Sequence, residues 1–103
     1  MPRFENPIEY LFAGEAAVSF GFAGRKLQKT IQALSEYDAD VMANRRKRDE
    51  SVRQSLVMDA ADAFWSYVVQ REQFGLLDSE YIAAEYAVPQ DVKLAMGPKL
   101  TGQ

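Results

Sequence analysis

Residues 25–74 read RKLQKTIQALSEYDADVMANRRKRDESVRQSLVMDAADAFWSYVVQREQF, fifty positions with neither glycine nor proline. Strand hairpins reverse through Gly, Pro and Asn-Gly turns. This run is instead rich in Ala, Leu, Gln, Glu, Lys and Arg, the residues of best helix propensity. The fold class it predicts is all-α. Leu27, Ile31, Leu34 and Val41 recur at helical spacing, with Ala23 and Tyr37 near the same stripe and Gln28, Lys29, Gln32 and Glu36 on the wet side. From Ala43 to Ser51 no large apolar residue occurs, so a helix there would have nothing to bury. A turn is expected over Asn44–Asp49. Helical phase does not decide the matter, because Leu27 and Leu56, 29 residues apart, return to within about 20° of one face. The alternative is one unbroken helix of roughly 75 Å.

The segment from Glu50 to Phe74 says most. Its polar residues Ser51, Ser55, Asp59, Asp62, Ser66, Gln70 and Gln73 are spaced by 4, 4, 3, 4, 4 and 3 and form one narrow stripe. Leu56, Val57, Met58, Ala60, Ala61, Ala63, Phe64, Trp65, Tyr67, Val68 and Val69 occupy the rest. An ordinary surface helix has an apolar arc of somewhat more than 100°. Here the arc exceeds half the circumference, so the helix needs at least two neighbours.

Working outward, Asn6, Pro7 and Glu9 form a capping box that starts a first helix, with Ile8, Leu11, Phe12, Ala16 and Ser19 on one face. Gly21 and Gly24 then mark either a break or a close approach of helices, and the break is the expectation. On the other side Gly75 is the natural helix stop. Asp78 is expected to cap a further helix, with Leu77 and Ile82 as a hydrophobic staple, until Val88-Pro89 ends it. Residues 89–96 form one more short helical turn before Gly97-Pro98. The chain thus reads as one helical domain over 1–98 with a frayed tail over 99–103.

Composition narrows the chemistry. The 103 residues are 48% hydrophobic and 26% charged, with a net charge of −3, no cysteine and no histidine. These zeros remove disulfides, thiol nucleophiles, His bases and the Cys/His metal sites. The start lacks the basic and apolar regions of a secretory signal, and the apolar stretch of residues 11–24, interrupted by Glu15, is shorter than the ~20 residues of a membrane span. A cytoplasmic protein is expected.

Four local features invite a functional reading. Arg45, Arg46, Lys47 and Arg48 are candidate phosphate contacts, although cations followed by Asp49-Glu50 are also the ordinary order at a turn between helices. Asp59 and Asp62, at i and i+3, have a spacing that can share a divalent cation, but their place on the polar stripe predicts solvent exposure. Glu15, set among apolar residues, would act as a general acid or base if buried, with Arg71 as its conceivable partner. Trp65 with Phe64, Tyr67, Tyr81 and Tyr86 reads as core and subunit contact rather than a ligand pocket. No catalytic residue, cofactor site or metal site is assigned.

The architecture expected is an antiparallel helical hairpin with short flanking helices, paired with a second copy into a bundle through Met58, Trp65, Val68 and Val69. A C₂ homodimer is the commonest closed arrangement. The function expected is a non-enzymatic, self-associating interaction or regulatory module, with another helical protein as the alternative partner. The alternatives are a nucleic-acid accessory protein using Arg45–Arg48 and a small-ligand binder or enzyme using Glu15.

Overall fold

The computed structural model describes residues 15–97, with side chains from Gly21 onward. The capping box at Asn6, the face from Ile8 to Ser19, the Glu15 side chain and the 99–103 tail lie outside the described side chains. The fold is all-α. Four helices follow in order: α1 (Glu15–Met42), α2 (Glu50–Glu72), α3 (Ser79–Glu85) and α4 (Gln90–Ala95). No strand occurs among the described residues, and none of their helices is long and apolar enough to cross a membrane.

The turn between α1 and α2 covers residues 43–49, where the apolar pattern lapses. Beyond it α2 returns along α1, so that Asp38 meets Arg53 and Gly24 lies against Tyr67. Leu27 and Leu34 of α1 pack on Val57, Ala60, Ala61, Phe64 and Val68 of α2. Ile82 and Ala83 of α3, Val88, and Val92 of α4 complete the same core. Ala60, Ala61 and Ala63 are almost wholly buried; their short side chains leave room for the neighbouring helices to come close.

Two expectations about packing are corrected here. The wide apolar arc of α2 does need several neighbours, but much of it is covered by α1, α3 and α4 of its own chain. Val68, expected at a subunit contact, is only 6% exposed in this core. The break expected at Gly21–Gly24 is also absent, since α1 runs through both glycines. Gly24 marks the alternative, a close approach: a methyl group there would sit 2.7 Å from the Tyr86 hydroxyl and 3.5 Å from that of Tyr67. Glycine weakens a helix interior by about 1 kcal/mol relative to Ala, and at this position it admits two tyrosines in return.

The ends of α1, α2 and α3 share one geometry. Asn44, Gly75 and Ala87 adopt left-handed φ values of 60°, 85° and 52°. In each case the left-handed residue's N–H bonds a carbonyl three residues back, and the next residue's N–H reaches five back: Asn44 to Val41 with Arg45 to Asp40, Gly75 to Glu72 with Leu76 to Arg71, and Ala87 to Ala84 with Val88 to Ala83. This is the Schellman closure, which satisfies carbonyls that a helix end leaves without partners.

Two details after Gly75 also differ from expectation. Asp78 occupies the N-cap position of α3 without capping it, because its carboxylate is held by Arg71 instead. Leu77 is 83% exposed while Ile82 is buried, so the staple does not form.

The two glycines of α1 are expected to respond oppositely to alanine. At Gly21 the added methyl meets only the movable guanidinium of Arg25, at 3.2 Å, so Gly21→Ala should raise Tm by several degrees, as about 1 kcal/mol does in a domain of this size. Gly24→Ala should lower it, because the rigid Tyr86 ring has to move. Paired thermal melts of the two variants check this.

Candidate functional site

The α1–α2 turn is built around Tyr37. Its ring is buried, its hydroxyl accepts the Asp49 N–H at 2.7 Å, and the same hydroxyl donates to the Asp49 carbonyl at 3.0 Å. Asp49 is the N-cap of α2, its side chain accepting from the N–H groups of Ser51 and Val52 and from the Ser51 hydroxyl. These bonds, that of the Ser51 hydroxyl first, hold the Asp49 carboxyl below its ordinary pKa.

The basic run sits on this turn, and its three arginines are engaged within the chain. Arg45 pairs with Asp40 at 2.9 Å, Arg46 lies 4.5 Å from the centre of the Tyr37 ring, and Arg48 pairs with Glu50. Lys47 is exposed. A phosphate would have to compete with carboxylates already in place at Arg45 and Arg48, and with the Tyr37 ring at Arg46.

Arg53 joins three helices. Its guanidinium binds Asp38 of α1 through two parallel bonds of 2.8 Å, and its third nitrogen reaches Asp91 of α4 at 2.8 Å. The fork-on-fork geometry is the strong form of a charge-assisted bond, and the Arg53 side chain is 19% exposed. The hydrogen bond from Arg53 lowers the pKa of Asp38. The two carboxylates together raise that of Arg53.

A second polar chain runs from α3 back to α1. Arg71 grips Asp78 at 2.6–3.2 Å, lies over the Tyr67 ring and reaches the Tyr67 hydroxyl at 3.4 Å. Tyr67 meets Tyr86 edge-on with ring centres 5.9 Å apart, and both hydroxyls lie beside Gly24. Burial, foremost, pushes the Tyr86 pKa up. Arg71 engages Asp78, and its expected pairing with Glu15 falls on a side chain outside the described residues.

The remaining candidates are placed simply. Asp59 and Asp62 are both exposed, as is most of the polar stripe, and no group of three or more acidic residues suited to a metal ion occurs among the described residues. Phe64 and Tyr67 are core, while Tyr81 is exposed. Of the four residues expected at a subunit contact, Trp65 is 36% exposed, Met58 and Val69 are half-buried, and Val68 is inside. Phe74 and Leu77, flanking Gly75, add exposed apolar surface that sequence reading did not assign. Compared with protein-family models, curated proteins and solved structures, the chain matches none.

Two predictions follow the polar bonds. A carboxyl whose pKa is lowered by folding stabilises the protein at pH values above its unfolded pKa, and that contribution fades as pH falls through the folded value. Asp38→Asn should therefore be less stable than the parent at pH 7, with the difference shrinking as pH drops below about 4; urea midpoints across that range check it. Tyr37→Phe leaves the Asp49 N–H without its acceptor and should cost about 1–3 kcal/mol, with faster amide exchange at Asp49.

Proposed function

We propose that this protein is a non-enzymatic interaction module, a cytoplasmic helical hairpin that pairs with a second copy to complete a bundle. The observation that carries the reading is the position of Trp65. Met58, Trp65 and Val69 are separated by seven and four residues, which sets them along one stripe of α2. The stripe lies between the core positions Ala61 and Val68 and the exposed polar positions Asp62 and Ser66. A tryptophan on one stripe with half-buried Met58 and Val69, with about a third of its own surface still in water, has the character of an interface anchor: rigid, large and cheap in entropy to immobilise. Because Val68 belongs to the core, the contact rests on Trp65, Met58 and Val69. The engaged state of Arg45, Arg46 and Arg48 favours this reading over nucleic-acid binding.

Gel filtration with light scattering at physiological salt tests it. A dimer mass is expected, and Trp65→Ala should weaken the dimer by more than about 1 kcal/mol without loss of helicity. A monomer mass at tens of micromolar, or a variant that still dimerises fully, overturns the self-association. Excess absorbance at 260 nm on the protein peak would transfer the reading to nucleic acid.

A further inference from the structure

An open groove of about 610 Å³ separates α1 from the last turn of α3. Ile31, Gln32 and Glu36 line one side, and Glu85, Tyr86 and Ala87 the other. Ile31 and Tyr86 are half-buried and rest on the hydrophobic core, so they supply apolar surface. The charge along the groove is of one sign. Glu36 and Glu85 are exposed and no Lys or Arg lines it. Among the described residues, neither glutamate takes part in an ion pair. Gln32 steadies Glu36 by donating to its carboxylate at 2.9 Å. Glu85 closes a helix whose last turn carries no basic residue, the end where the backbone is already partly negative and a cation is favoured.

We propose that this groove docks a cationic, partly apolar peptide segment of a partner protein. One aliphatic or aromatic side chain lies over Ile31 and Tyr86, and Arg or Lys side chains flank it toward Glu36 and Glu85. The protein's own basic turn on a second copy is a poorer occupant, since Arg45, Arg46 and Arg48 are already engaged by Asp40, Tyr37 and Glu50. The proposal rests on the reading of the chain as an interaction module, but it uses none of the α2 residues assigned to self-association, so the two stand or fall separately.

The experiment titrates ¹⁵N-labelled full chain with three synthetic peptides of equal length: alternating Leu-Arg, Leu-Glu and Gly-Arg. The Leu-Arg peptide should shift the amides of Ile31, Gln32 and Ala87 saturably. The double substitution Glu36→Gln with Glu85→Gln, at exposed positions that leave the fold intact by circular dichroism, should weaken this binding by about tenfold or more, as the loss of two charge pairs does. Trp65→Ala should not change it. The proposal is overturned if the wild-type amides do not move, if Leu-Glu or Gly-Arg binds as well as Leu-Arg, or if the double substitution has no effect. It is also overturned if the same amides shift with protein concentration alone, which would make the groove a contact between copies. The mass of the peptide-free protein reads the self-association independently.

Discussion

α2 carries an apolar arc too wide for a single neighbour to cover, and the rest of the described chain is arranged around that requirement. Alanines at 60, 61 and 63, buried almost completely, present a face low enough for neighbouring helices to approach, while Phe64 and Val57 fill the space between them. α1 alone supplies one side. The short helices α3 and α4, too brief to be stable by themselves, become ordered because α2 offers them apolar surface on the others. The core is therefore centred on the apolar side of α2, against which the other described helices pack, and the ion pairs of Arg53 and Arg71 tie α2 to them.

Those ion pairs and hydroxyl bonds add what apolar packing lacks, a fixed register. Dispersion and burial are tolerant of small slides between helices. The two-pronged bond from Arg53 to Asp38, extended to Asp91, is not, because its nitrogens and oxygens must face each other within a few tenths of an ångström. The Tyr37 hydroxyl does the same at the turn, and the Arg71–Asp78 pair does it between α2 and α3. Each is partly shielded from water, which separates them from the surface pairs that contribute little.

Much of the fold was legible in residue order. The absence of Gly and Pro over residues 25–74 marked long helices, and the lapse of apolar residues after Met42 located the turn. Gly75 and Val88-Pro89 marked ends that the structure has. What was not legible depends on which neighbour meets which face. A glycine in a helical pattern looks the same whether it breaks the helix or admits a tyrosine, and only the position of Tyr86 separates the two at Gly24. An Asp before a helix reads as a cap until an arginine seven residues upstream claims it, as Arg71 does Asp78. Periodicity likewise revealed that α2 was apolar on too many sides but not that its own chain would cover Val68. Arg53 and Tyr37 carried no local signal beyond being a charge and a phenol on helices; their roles exist only once α1 and α2 lie together.

The three left-handed closures at Asn44, Gly75 and Ala87 concern the handedness of the amino acids themselves. An L-residue with a side chain is disfavoured at such φ values, glycine is indifferent, and a D-residue is at home there. The chain fills the three equivalent sites with an asparagine, a glycine and an alanine, so the fold tolerates mirror-image chemistry at the ends of three right-handed helices. A chemically assembled chain carrying D-alanine at those points would keep the ends of α1, α2 and α3, whereas the same residue in mid-helix would unwind that helix.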